Sequence, residues 1–233
     1  MDARRGFVPE DERNFSPESL GLLRKAAGHV CYLINEGYDL KQAVTFVGNH
    51  YLLSERQRLA IMRSAATDEQ LAARKEKQVQ AEVLSGKTVR IDGFNTVITL
   101  EVMLSQSVLF RCMDETIRDL AALRGTYRLI PETSEAIRLM FEVLKEAGIG
   151  KAVILLDQPV SNSGRLKTLI AEVGEEYPFD PDIQILKDVD RELFEKEFVV
   201  TSDSVILDHC RSWFNLAGEC LKKTGAEVLR IGD

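Results

Sequence analysis

Along this chain of 233 residues the hydrophobic positions change period near residue 88. Before that point they recur at the three- and four-residue spacing of an amphipathic helix. Leu20, Leu22, Leu23, Ala26, Val30, Leu33 and Ile34 form one apolar face, opened by Ser16-Pro17-Glu18 and stopped at Gly37. Asp39 with Gln42 starts a second helix that runs to about Gly48, and Ser54 with Gln57 starts a third through Leu59, Ile61 and Met62. Residues 1–15 are charged and aperiodic, with Pro9, and read as a loose N-terminus; residues 16–66 read as a helical module. A polar helix from Asp68 to about Leu84 makes residues 67–87 a helical linker.

Beyond residue 88 short apolar runs alternate with helical patterns. Thr88–Asp92 and Lys151–Asp157 read as buried strands, as do residues 182–186 and a run from Phe198 toward Asp203. Helices are expected over 97–104, 115–123 and 133–147, the last opened by Glu132 and closed by Gly148. Others are expected from Leu166 to about Val173, over a short acidic stretch from Asp188, and from about Ser204 through Trp213 and Phe214, with a last strand over 226–231. This alternation predicts an α/β domain over residues 88–233, with a mostly parallel, Rossmann-like sheet and flanking helices behind the all-helical N-terminal module.

Three of these strands end in an aspartate: Asp92, Asp157 and Asp203. In a parallel sheet their carboxylates converge on the C-terminal edge, where open α/β sheets bind ligands, and a carboxylate cluster invites a divalent metal. After Asp157, the run Ser161-Asn162-Ser163-Gly164-Arg165 feeds a helix N-terminus. It reads either as a phosphate cradle, with Ser161, Ser163 and Arg165 as ligands, or as an ordinary capped turn. Aspartates at strand ends have a second ordinary use as helix caps, open to Asp203 before Val205 and to Asp188.

A hydrophobic content of 45% with 29% charged residues fits a soluble globular chain, and no run is long enough to span a membrane. The first residues lack a signal peptide, so a cytoplasmic protein without membrane partners is expected. Scattered cysteines and histidines exclude a zinc-ligand spacing. The net charge of −7 argues against a surface that clings to nucleic acid throughout. The acidic excess lies in residues 88–233, with 17 Lys+Arg against 25 Asp+Glu. Arg56, Arg58, Arg63, Arg74, Lys75 and Lys77 in the helical part are candidate phosphate contacts, as in a helix-turn-helix, or else a solvated face.

The motifs over residues 88 to about 210 resemble PIN-like nucleases of the NYN type. Asp92-Gly93-Phe94-Asn95 is similar to the D-G-x-N after the first strand of that family. Asp188-Val189-Asp190-Arg191-Glu192 resembles its acidic helix start, and Thr201-Ser202-Asp203 its S/T-x-D element. The whole chain also resembles domain of unknown function family 434, through Gly37-Tyr38, Val47-Gly48-Asn49-His50-Tyr51, Arg56 and Arg63.

The nuclease resemblance implies a hydrolase that binds Mg²⁺ or Mn²⁺ and cuts a phosphodiester, RNA more than DNA. It implies Asp92, Asp190 and Asp203 as catalytic metal ligands, with Asp188 as the alternative to Asp190. Asn95 would orient Asp92 or a phosphate, and Thr201 and Ser202 would hydrogen-bond the carboxylates from behind. Asp157 joins the catalytic set by its strand-end position alone, and Arg118 and Arg165 are candidates to neutralise the substrate backbone. Ser204 departs from the family, where a second acid is common.

Two other functions compete: a non-catalytic RNA-binding adaptor of the same fold, and a phosphohydrolase of small esters, which lacks the usual D-x-D pair because Phe94 stands at its second position. The sequence leaves the oligomeric state open, a homodimer included.

Overall fold

A computed structural model describes residues 4–121 and 125–232. Five helices come first: α1 (Asp11–Asn14), α2 (Pro17–Asn35), α3 (Leu40–His50), α4 (Glu55–Ser64) and α5 (Asp68–Lys77). Their starts follow from the caps. Ser16 accepts from the Ser19 N–H ahead of Pro17 and Asp39 from that of Gln42, while Ser54 with Gln57 and Thr67 with Gln70 form reciprocal capping boxes.

The α/β part contains β1 (Gln78–Val79), β2 (Thr88–Asp92), α6 (Gly93–Leu104), the hairpin β3 (Leu109–Arg111) and β4 (Ile117–Asp119), and α7 (Glu132–Glu146). It continues with β5 (Lys151–Asp157), α8 (Ser163–Gly174), β6 (Pro181–Leu186), α9 (Val189–Leu193), β7 (Val199–Val200), α10 (Ser204–His209), β8 (Trp213–Phe214) and α11 (Leu216–Thr224).

Six strands form one parallel sheet in the order β1-β8-β7-β2-β5-β6. From β2 the chain winds outward through β5 and β6, then crosses back to β7 on the other side of β2 and on to β8. The winding direction therefore reverses between β2 and β7, the place where a doubly wound sheet opens a crevice at its carboxyl edge. A main core of Val89, Ile91, Ile154, Leu156, Phe141 and their neighbours covers the sheet. A second core joins Leu23, Val30, Val44 and Ile61 of the helical segment to Phe110, Cys112, Leu120 and Ile231, so the helices sit on the hairpin.

Several elements differ from expectation for local reasons. The expected helix over 115–123 is a hairpin strand as far as Asp119. Asp114 accepts from the N–H and hydroxyl of Thr116, and Glu115 at φ 62° turns the chain; residues 122–123 lie outside the described part. The helix after Ser204 stops at His209, and buried Trp213 and Phe214 become a strand between β7 and β1; Asn215 then caps α11. The expected last strand over 226–231 reduces to a single bridge between Leu229 and Phe110.

The polar linker helix ends at Lys77, and Gln78–Val79 enters the sheet edge. Nor is the N-terminus loose from residue 4 onward: Arg5 is buried against Glu101 at 2.7 Å, and Asp11 pairs with Arg56 at 2.7 Å.

Candidate active site

Asp92 closes β2 and immediately precedes α6, so it stands at the reversal point of the sheet. The join leaves no room for a side chain at position 93. A Cβ on Gly93 would lie 2.6 Å from Leu156 Cδ2 and 2.7 Å from the Leu155 carbonyl of β5.

Asp92 and the exit of β7 are knitted together. Thr201 Oγ1 donates to Asp92 Oδ2 at 2.8 Å, and the Asp203 N–H donates to Thr201 Oγ1 at 3.0 Å. Asn95, in the first turn of α6, accepts from both the N–H and the hydroxyl of Ser202 at 2.9 Å. Thr201, Ser202 and Asn95 therefore fix the backbone beside the acids.

Burial is the first cause that pushes the Asp92 carboxyl up to about 8; the Thr201 hydroxyl opposes it, while the charges of Asp203, Asp157 and Asp190 add to it. Asp190 is likewise raised, by burial and then by Asp203, Asp157 and Asp188. Asp157 is raised by burial and by Asp188, against the Val189 N–H. Asp92, Asp157, Asp190 and Asp203 thus share one field at the carboxyl edge. Among the described residues none of the four is ion-paired with a lysine, arginine or histidine.

The four carboxylates do not close into a cage. Among the described residues no set of three or more His, Cys, Asp or Glu side chains is gathered tightly enough to grip one ion. The donors nevertheless suit Mg²⁺ or Mn²⁺ in kind. They are hard oxygens without a compensating cation, and Mg²⁺ keeps several waters, taking only one or two carboxylates plus substrate phosphates.

The remaining candidates divide. Asp203 spends Oδ1 on capping α10, accepting from Val205 N–H at 2.8 Å and Ile206 N–H at 3.3 Å. Asp188 caps α9 and pairs with Arg191 at 3.4 Å, which sets it apart from the four uncompensated acids.

Arg118 is not available to a substrate. It is buried, and donates to Ser202 O at 2.6 Å, to Asp114 at 2.6 Å and to the Arg63 carbonyl. The Ser161 hydroxyl is no phosphate ligand either, because it bonds both the N–H and the carbonyl of Tyr127. Ser163 and exposed Arg165 do stand in the first turn of α8, on the edge that carries Asp157.

The basic residues of the helical part are mostly structural. Arg56 holds Asp11 and Leu120 O, Arg58 holds Leu53 O, Arg63 pairs with Asp119 at 3.5 Å, and Arg74 is buried between Asp114 and Asp208. Two buried networks escaped the sequence reading. One joins Arg74, Asp114, Arg118 and Asp208; in the other, Glu101 takes Arg5, Tyr127 and Thr133. Glu101 gave a signal, as the single acid in the apolar run Val97-Ile98-Thr99-Leu100-Glu101-Val102-Met103-Leu104.

Among the described residues no helix is long and apolar enough to cross a membrane. Residues 81–219 match the family model "Domain of unknown function (DUF5616)", and residues 22–77 match "Protein of unknown function (DUF434)". The chain is similar to "Uncharacterized protein MJ0935" of Methanocaldococcus jannaschii, 40% identical over 185 residues that span 79% of this chain and 88% of that relative. No solved structure matches. With its larger part matched by the first model, the chain belongs to the DUF5616 family and carries a DUF434 segment ahead of that domain.

Proposed function

We propose that this protein is a metal-dependent nuclease of PIN-like fold that hydrolyses phosphodiester bonds, in RNA more than in DNA. The observation that carries the reading is the uncompensated acid set Asp92, Asp157, Asp190 and Asp203 at the reversal point of a parallel sheet. Four acids facing one another without a basic partner are unfavourable in themselves, and a divalent cation is the economical way to offset them.

A bound Mg²⁺ or Mn²⁺ would supply charge neutralisation at the phosphate and a water acidic enough to attack it. Asp92, Asp190, Asp157 and the free oxygen of Asp203 would supply the ligand oxygens. Asp92, buried and oriented by Thr201, is the fixed carboxylate around which the others are set. Asn95 and Ser202 hold the turn that carries Asp203. Arg165 and the first-turn N–H groups of α8 take the substrate backbone on the same edge.

A non-catalytic RNA-binding adaptor is the second reading, favoured by the cap that Asp203 makes on α10 and by serine at position 204. Labelled single-stranded and hairpin RNA, with matched DNA, separates the two. In Mn²⁺ the wild type is expected to cut, and EDTA or Asp203→Asn to abolish cutting. Binding without cutting, unchanged in Asp203→Asn, would instead establish the adaptor.

A further inference from the structure

The turn over 201–204 is held from two sides. Facing the acids, Thr201 and Ser202 bond to Asp92 and Asn95. Behind them, Arg118 Nε donates to the Ser202 carbonyl at 2.6 Å, so a single residue, Ser202, is gripped through its N–H and hydroxyl by Asn95 and through its carbonyl by Arg118. Arg118 is itself fixed: Nη2 donates to Asp114 Oδ2 at 2.6 Å and Nη1 to the Arg63 carbonyl of α4.

Asp114 Oδ2 also accepts from Arg74 Nη1 of α5 at 2.7 Å. Arg74 in turn binds Asp208 of α10 through Nε at 2.7 Å and Nη2 at 3.0 Å, and reaches the Ser204 carbonyl at 3.5 Å. Gln70 adds a donor to Asp208 at 3.0 Å. Two guanidiniums and two carboxylates balance in charge, and Arg74, Arg118 and Asp114 are all more than nine-tenths buried. Burial alone would push the Asp114 carboxyl up, but Arg118, Thr116 and Arg74 outweigh it and hold the group below its ordinary value. The planar guanidinium fork spans three acceptors on three elements in one fixed geometry, which the compact point charge of a lysine ammonium does not reproduce.

We propose that Arg118, locked by Asp114 and by Arg74 of the helical segment, is the positioning residue of the acidic edge: it fixes the 201–204 turn that carries Asp203 and orients Asp92, so that the helical segment braces the site. The inference rests on the reading of that edge as the active site, but its geometry is testable without any activity. The amides that report on the turn are those of Asp203, bonded to Thr201 Oγ1, and Val205, bonded to Asp203 Oδ1.

Hydrogen exchange of these amides is measured in the metal-free full chain for Arg118→Lys and for Asp208→Asn. The second variant alters a part-exposed member of the brace that leaves the core packed. Glu101→Gln serves as a control that perturbs the other buried network. The brace variants are expected to speed exchange at Asp203 and Val205 by about tenfold or more relative to the β5 amides, with no such local change in Glu101→Gln.

Equal exchange in the brace and control variants, or protection at the turn unchanged by Arg118→Lys and Asp208→Asn, overturns the proposal. Because the readout needs neither metal nor substrate, absence of cleavage would count against the nuclease reading alone. Where cutting is present, the brace variants are expected to lower kcat with little change in KM, since the turn and not the substrate contacts is displaced.

Discussion

Asp92→Asn is expected to stabilise the metal-free protein at alkaline pH while abolishing its activity. The Asp92 carboxyl is raised from 3.8 to about 8 in the fold, first by burial and then by its acidic neighbours. Between those values the folded state holds a proton that the unfolded state releases, so stability falls as pH climbs through the window and levels off above about 8. Each pH unit of separation is worth about 1.36 kcal/mol, so ionising this group in place costs on the order of 6 kcal/mol at most. Asparagine keeps an oxygen for the Thr201 hydroxyl and carries no charge. Thermal melts in EDTA should therefore show the wild type losing stability from about pH 5 to 8, a flatter profile for the variant, and the variant melting higher at pH 8. Parallel profiles would show that the fold does not raise the Asp92 carboxyl.

The second large effect concerns Glu101. Its side chain is fully buried on α6 and accepts from Arg5 at 2.7 Å, Tyr127 Oη at 2.7 Å and Thr133 Oγ1 at 2.5 Å. Burial pushes its carboxyl up despite those donors. Removing one partner of such a network leaves a buried guanidinium and two hydroxyls without their acceptor. Glu101→Ala is expected to cost about 3 to 5 kcal/mol, the usual range for breaking a buried pair. A lower urea midpoint at unchanged slope is the expected readout. A loss below about 1 kcal/mol would mean that the segment from residue 4 is held by apolar packing instead.

Much of the fold was legible where local chemistry decides it. The caps at Ser16, Asp39 and Ser54 hold as read, and the strands ending at Asp92 and Asp157 carry their acids to one edge. Periodicity failed where tertiary contacts overrule it. Residues 115–119 carry a helix-like mixture of charge and hydrophobe, yet the Asp114–Thr116 turn and the positive φ of Glu115 make a hairpin. Trp213 and Phe214 fit a helical face as well as a two-residue strand, and only their place between β7 and β1 separates the two.

The candidate site was legible in its acids and not in its cations. Sequence shows that Arg118 and Arg74 are charged, but their burial depends on Asp114 and Asp208, which lie 4 to 134 residues away. Arginines that looked like phosphate ligands therefore became struts. The uncompensated charge of the four aspartates is likewise a long-range fact, since it rests on which cations the fold keeps elsewhere.

The most direct test of the account is the response of folding stability to Mn²⁺ near pH 7.5, followed by melting for the wild type and for Asp92→Asn. Binding at the acidic edge predicts a rise for the wild type worth about 2.7 kcal/mol at a hundredfold excess over Kd, and little or none for the variant. A wild type that Mn²⁺ leaves unmoved, or a variant that it stabilises equally, would contradict the assignment of these aspartates to a metal-dependent active site.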